Sequence, residues 1–465
     1  MKASIITDTE LHQADWDDGT ASSPHICFSI ERGIVPRCLC TVSTKPLAPE
    51  RFKAGWRLST MDDLLSYRDQ FPILESTTYL ISNSLGAMPR RVHDRLGDYA
   101  DLWATRGVRA WQEEWWQLSR VVGDQIAALI NVPRGTVIMQ PSVTLAHAQI
   151  FSCFDFPKDP AHFAGQGGRR RIITDDMHFP SILYLIDQQR SRGAEIVIIN
   201  SDDGMTIDHA KLLNAIDDRT ALVAISHVLF KSAFIQDVSA LTQRAHAMGA
   251  KIVIDGYQAV GTIPVDLRAI DADFYAGGCL KWLCGGPGNA FLYVRKDLIS
   301  QLEPKLVGWF AHAHPFEFEM PPLDYLDDIG RFAIGTPAIA AFYAAQPGLE
   351  IIAEIGIGKI RAKSVRQTAR LIDLADELDF PVTSPRDANV RGGTVAVNVE
   401  HGYEISKVLK DREFIVDYRP GAGIRISPHS YTRDDELDAV VFEIRKIRET
   451  GAFEKYLARE KDIVT

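Results

Sequence analysis

The chain has 465 residues, 46% of them hydrophobic and 24% charged, which fits a soluble globular protein of two domains. A formal charge of −10 and a pI near 5.7 argue against nucleic acid as a partner, and no apolar run approaches the roughly 18 residues needed to span a bilayer. The six cysteines follow neither a disulfide framework nor a paired zinc spacing, and Cys38-Leu-Cys40 is a lone C-x-C, so a reducing, cytoplasmic compartment is expected. Asp8, Glu10, Asp15, Asp17 and Asp18 give the first thirty residues the wrong charge for a signal or transit peptide.

Residues 1–55 lack periodicity and read as an N-terminal extension. A helix-like stretch at about 60–70 precedes Tyr79-Leu80-Ile81 and the polar turn Ser82-Asn83-Ser84-Leu85-Gly86. From about 90 to 130 the pattern is helical, and Trp111 and Trp115, spaced i and i+4, share a face that packs on another helix or subunit. Between about 136 and 295, short apolar runs alternate with amphipathic helices, which predicts an α/β domain on a mostly parallel sheet. The runs are Thr136–Met139, Ile172–Thr174, Glu195–Ile199, Ala221–Ile225, Ile252–Ile254 and Phe291–Val294. One helix is sharply bounded, with Asp237 as N-cap, Val238, Leu241 and Ala245 on one face and Gly249 as the stop. Beyond about 337 a long helix carrying Val365, Ala369, Ile372 and Ala375, an alternating strand at 394–399 and a closing helix at about 433–449 predict a smaller α+β domain. The expected division is an arm and large domain over 56–335 and a small domain over 336–465.

The chemistry concentrates between Ile252 and Val294. Asp255 ends an apolar strand, at the edge where parallel sheets place ligand groups. Lys281 follows the run Asp273–Gly278 and precedes the glycine loop 285–288, a setting that desolvates an amine and makes it nucleophilic. Pyridoxal 5′-phosphate (PLP) chemistry uses such a pair, a lysine to carry the cofactor as an imine and an aspartate to keep its ring nitrogen protonated. An exposed turn lysine and an N-cap aspartate would satisfy the same spacing.

The segment Val253-Ile254-Asp255-Gly256-Tyr257-Gln258-Ala259-Val260-Gly261, with Lys281 and the glycine loop, resembles the class V aminotransferase family of fold type I PLP enzymes. Within it the resemblance is closest to the kynureninases, through Asn83-Ser84-Leu85-Gly86, Phe179-Pro180-Ser181, Gly308-Trp309-Phe310-x-His312, Arg419-Pro420-Gly421 and Arg425, in that order along the chain. The resemblance implies a catalytic Lys281, with Val143 and Thr144 at the cofactor phosphate and Phe179 on the pyridine ring. Ser226, Asp255 and Gln258 would lie around the ring, and Thr336 would reach a neighbouring subunit's phosphate. Trp309 and His312 would form an aromatic pocket, and Arg425, with Arg419 as competitor, would hold the substrate carboxylate. His227 either overlies the cofactor or is a structural histidine, and Cys279 and Cys284 read as small core residues.

The implied activity is a kynureninase-like hydrolysis of the Cβ–Cγ bond of an aryl-keto amino acid by a homodimer, with no metal. The chain departs from the kynureninase pattern at Gln258 (histidine there), Leu280 (tyrosine), Ile182 (aspartate) and Thr336 (asparagine). These departures leave open an aminotransferase, a β-lyase or desulfurase, or an epimerase of the same family, and from another class a non-catalytic PLP-binding module.

Overall fold

The predicted apolar runs become strands because β-branched and aliphatic side chains fill both faces of a covered sheet. In the computed structural model, which describes residues 62–156 and 168–458, the first eight strands are β1 (Thr78–Tyr79), β2 (Val137–Gln140), β3 (Arg171–Asp175), β4 (Glu195–Ile199), β5 (Thr220–Ser226), β6 (Lys251–Asp255), β7 (Phe274–Gly278) and β8 (Ala290–Val294). The expected extension, with Cys27, Cys38 and Cys40, lies outside the described residues.

Seven of these strands form one sheet in the order β2-β8-β7-β6-β5-β3-β4. Only β8 opposes its neighbours, running antiparallel to both β2 and β7. Every residue of β5 is buried, and the alternation along it divides the core. Val223 and Ile225 join Ile252, Ile254 and Tyr275 on one face, while Leu222 and Ala224 join Val253, Phe274 and Ala276 on the other. The helix predicted from Asp237 spans Val238–Ala247, with the Asp237 carboxylate accepting from the Ala240 N–H at 3.0 Å and Gly249 at φ 72°.

The helix Ile339–Ile355 adds Ile339, Phe342 and Tyr343 to the first of these cores. A third core gathers around Leu371, Ile372, Val395, Ile424, Leu437 and Ile444. It is built from helices Ile357–Glu377, Gly402–Asp411 and Asp434–Thr450 and from strands β9 (Val395–Val397), β10 (Phe414–Ile415), β11 (Asp417–Arg419) and β12 (Gly423–Ile426). β11, β12 and β9 form an antiparallel sheet, and β10 pairs in parallel with β1. Leu80 enters this third core, so the turn at Ser82–Gly86 is held against the C-terminal segment and brought to the edge of the large sheet.

That edge is where the strands converge. Because β2 is antiparallel to β8, it runs parallel to the rest, and the C-terminal ends of β2, β3, β5, β6 and β7 open on the same side. Ser226 is the register partner of Asp255 there.

Candidate active site

The strand ends enclose a cavity of about 260 Å³, lined among others by Ser142, Val143, Phe179, Ser226, Phe230, Asp255, Tyr257, Gln258 and Lys281. The walls come from several connections, and residues spread over more than a hundred positions meet because these strand ends open on the same side of the sheet.

Lys281 sits in the turn after β7. Gly86 holds that turn from the opposite side: its N–H donates to the Leu280 carbonyl at 2.9 Å, and a Cβ in its place would fall 2.1 Å from the Lys281 carbonyl oxygen. The Lys281 Nζ lies 4.6 Å from the Tyr257 ring centroid and 5.6 Å from that of Phe179. Desolvation by these walls, reinforced by the positive charge of Arg425, lowers its pKa to about 7, against the opposing pull of Asp255.

Asp255 is buried at the end of β6, and one carboxylate oxygen accepts from the Tyr257 N–H at 2.8 Å. Gln258 lines the cavity with both ends of its amide engaged, donating to the Asn83 carbonyl at 2.9 Å and accepting from Trp282 Nε1 at 2.8 Å. His227 is not among the residues that line the cavity; its Nδ1 is 3.0 Å from the Tyr275 hydroxyl, and burial pushes its pKa down to about 4. Cys279 and Cys284 are buried, with thiols pushed up to about 12, which keeps them from acting as nucleophiles.

The helix Val143–Ser152 begins at the cavity, with the Ser142 hydroxyl capping the Leu145 N–H at 3.2 Å. Val143 lines the cavity and Thr144 is half-buried in the same first turn. Arg425 is buried against Asp417, which accepts from its Nε at 2.8 Å and from its Nη2; Ser84 donates to the same carboxylate at 2.6 Å, and Nη1 donates to the Phe230 carbonyl. Arg419 approaches Asp417 at 3.4 Å. The two guanidiniums hold the Asp417 carboxyl below its ordinary range in spite of burial.

Thr144, Arg425, Trp309, His312 and Thr336 are not among the residues that line the Lys281 cavity. His312 is buried in an adjoining cavity of about 210 Å³ that shares Pro141 and Gly288 with the first. Trp309 (41% exposed) and Thr336 border an open aromatic hollow with Trp111, Trp116 and Phe310. The sequence reading gave no role to Ser142, Tyr257 and Asp417. The first two adjoin singled-out residues, whereas Asp417 is linked to Arg425 only by the β11–β12 pairing.

The family profile described as Aminotransferase class-V matches residues 78–431. The chain belongs to the class-V aminotransferase family. It is 30% identical to the kynureninase of Shouchella clausii (strain KSM-K16) over 92% of this chain and 99% of that protein. It is 32% identical to the kynureninase of Bacillus anthracis over 85% and 94% of the two chains. Among solved structures, the cysteine desulfurase of Thermococcus onnurineus NA1 superposes with a TM-score of 0.73 at 21% identity, covering 83% of this chain and 98% of that one. A C-DES mutant with glycine covalently linked to its PLP cofactor gives 0.72 at 19% identity, covering 81% and 98%. The architecture is that of the fold type I PLP enzymes, and the class-V chain described here is a PLP-dependent enzyme. The cavity fits that cofactor: an aromatic wall, a carboxylate, a helix N-terminus for a phosphate and a desolvated lysine all border the same space.

Proposed function

We propose that the protein is a kynureninase-like hydrolase that cleaves the Cβ–Cγ bond of an aryl-keto amino acid to alanine and an aromatic acid such as anthranilate. The observation that carries this reading is the similarity to kynureninases over nearly the whole of both chains. Bound PLP supplies an electron sink for the charge that develops at the substrate Cα. Lys281 would hold the cofactor and would take the substrate Cα proton as general base, a role suited to an amine with a pKa of about 7. Asp255 would hold the proton on the ring nitrogen, Phe179 would cover the ring, and Ser226 and Gln258 would border it. The N–H groups around Val143 and Thr144 receive the phosphate. Arg425, oriented by Asp417 and bonded through Nη1 to the Phe230 carbonyl, would offer its guanidinium to the substrate carboxylate, with Arg419 beside it. The net hydrolysis consumes one water: the hydroxyl stays on the aryl carbonyl carbon and a proton goes to Cβ.

We also infer a homodimer. Trp309 and Thr336 lie exposed and outside the Lys281 cavity, with Phe316 and Phe318 packed on Trp309; in a dimer they would serve the site of the second copy. The proposed division of the chain is 56–335 and 336–465. Among the described residues no helix is long and apolar enough to cross a membrane, and the free thiols of Cys153, Cys279 and Cys284 support a reducing cytoplasm. Leu280 and Gln258 favour a second reading, a lyase or aminotransferase of the same family.

The test is release of fluorescent anthranilate from L-kynurenine, or of its hydroxy analogue from 3-hydroxykynurenine, by PLP-loaded protein. Release that disappears in Lys281→Ala supports the hydrolase. A cofactor absorption band without release from either substrate refutes it and turns the search to the lyase and aminotransferase readings.

A further inference from the structure

Asp255 is flanked by two buried imidazoles that the proposed chemistry does not use. His147, one turn into the helix that starts at the cavity, and His178, just before Phe179, are 0% and 1% exposed. Neither Nε2 atom has a hydrogen-bond partner among the described residues. Each histidine contributes one ring nitrogen, with an Asp255 carboxylate oxygen, to a cluster whose atoms lie within 4.8 Å of one another. An orphaned polar atom in a dry interior is costly, and two around one carboxylate mark a site with an occupant.

The other ring nitrogens identify that occupant. His147 Nδ1 lies 2.9 Å from the Val143 carbonyl oxygen, which only accepts, so Nδ1 carries the hydrogen and Nε2 is a bare acceptor. His178 Nδ1 accepts the Phe179 N–H at 2.8 Å, so its hydrogen is on Nε2. A nitrogen carrying a hydrogen has no lone pair for a metal, which argues against a His-His-Asp cation site. The cluster therefore offers one donor and two acceptors. A water molecule accepts from His178 and donates to His147 and to Asp255, and with hydrogen bonds of about 2.8 Å in tetrahedral directions it spans partners roughly 4.6 Å apart. Burial lowers the pKa of both imidazoles, that of His178 to about 4, which keeps these tautomers neutral at physiological pH.

We infer that His147 and His178 are positioning residues for Asp255: through one buried water they hold its carboxylate in place against the cofactor ring nitrogen. The inference rests on Asp255 facing PLP as proposed above. The Asp255 carboxylate then has a fixed partner on its inner side as well as the Tyr257 N–H, and the ring nitrogen meets an anion that is already oriented.

Leucine at either histidine removes the hydrogen-bonding group, whereas His147→Gln restores an acceptor and His178→Gln a donor. Each leucine variant should bind PLP more weakly, by roughly tenfold to a hundredfold for one lost hydrogen bond to a charged group, and shift the visible band of bound PLP toward shorter wavelength. The glutamine variants should recover most of both properties. Leucine variants that melt with the wild type and keep its PLP dissociation constant and band would overturn the inference. Should they fail to fold, a high-resolution crystal structure of the wild-type holoenzyme decides: a water bonded to all three side chains is expected, and a direct bond or no ordered density overturns it. Cobalt(II) added to the apoprotein should give no tetrahedral ligand-field absorption, and its appearance would establish a metal site instead. Loss of the PLP band in the wild type itself would overturn the cofactor reading, an outcome distinct from all of these.

Discussion

The ionisation of Lys281 offers a direct test of the site. An ordinary lysine with a pKa of 10.5 is about 0.03% neutral at pH 7, whereas one at about 7 is half neutral, a gain of roughly a thousandfold in reactive amine. The assay is competitive labelling of the apoprotein with an amine reagent between pH 5 and 11 (roughly the window that brackets both values), with the Lys281 peptide quantified by mass spectrometry. A midpoint about 7 is expected. Asp255→Asn removes one of the carboxylates that favour the ammonium form, so its midpoint should fall further. The same shift acts on stability. Because the folded pKa is below the unfolded one, the unfolded chain binds the extra proton between about 7 and 10.5, and stability rises with pH through that window. The penalty is fully present below pH 7 and is at most about 5 kcal/mol. A wild-type midpoint near 10.5, or an upward move in Asp255→Asn, would refute the claim that the cavity walls and Arg425 set the amine.

Other consequences follow from the same geometry. Asp417→Ala leaves Arg425 buried without its carboxylate and should lower stability by about 3–5 kcal/mol, the cost of breaking a buried pair from one side; an unchanged denaturation midpoint would show that the pair is solvated. Gly86→Ala places a methyl 2.1 Å from the Lys281 carbonyl, so PLP binding should weaken sharply, and wild-type titration by absorbance would mean that the turn relaxes freely. Mixing and refolding inactive Lys281→Ala with inactive Trp309→Ala should restore anthranilate release, since a mixed dimer regains one complete site. No recovery, with mixed dimers demonstrated, would place Trp309 in the site of its own chain.

Much of the fold was legible in the sequence because it depends on local pattern. The aliphatic runs announced the buried strands, and Asp237 and Gly249 bounded a helix through capping and left-handed geometry that need no distant partner. Asp255 and Lys281 could be singled out because a strand end and a glycine loop are local signals, and their family motif lies within one stretch of chain.

The tertiary structure decided what depends on long-range contact. Asp417 becomes a site residue only when the β11–β12 pairing sets it opposite Arg425, and Gly86 matters because a distant turn packs on its bare Cα. Gln258 is fixed by Asn83 and Trp282 from two other connections. Trp309 and Thr336, adjacent to the site by motif, lie outside its cavity on an exposed aromatic face. Residue type and spacing determine which chemistry the chain carries, because strand, cap and turn preferences are local free energies. Burial, pKa and hydrogen-bond partnership belong to the packed whole, because each depends on which distant groups exclude water from the same few ångströms.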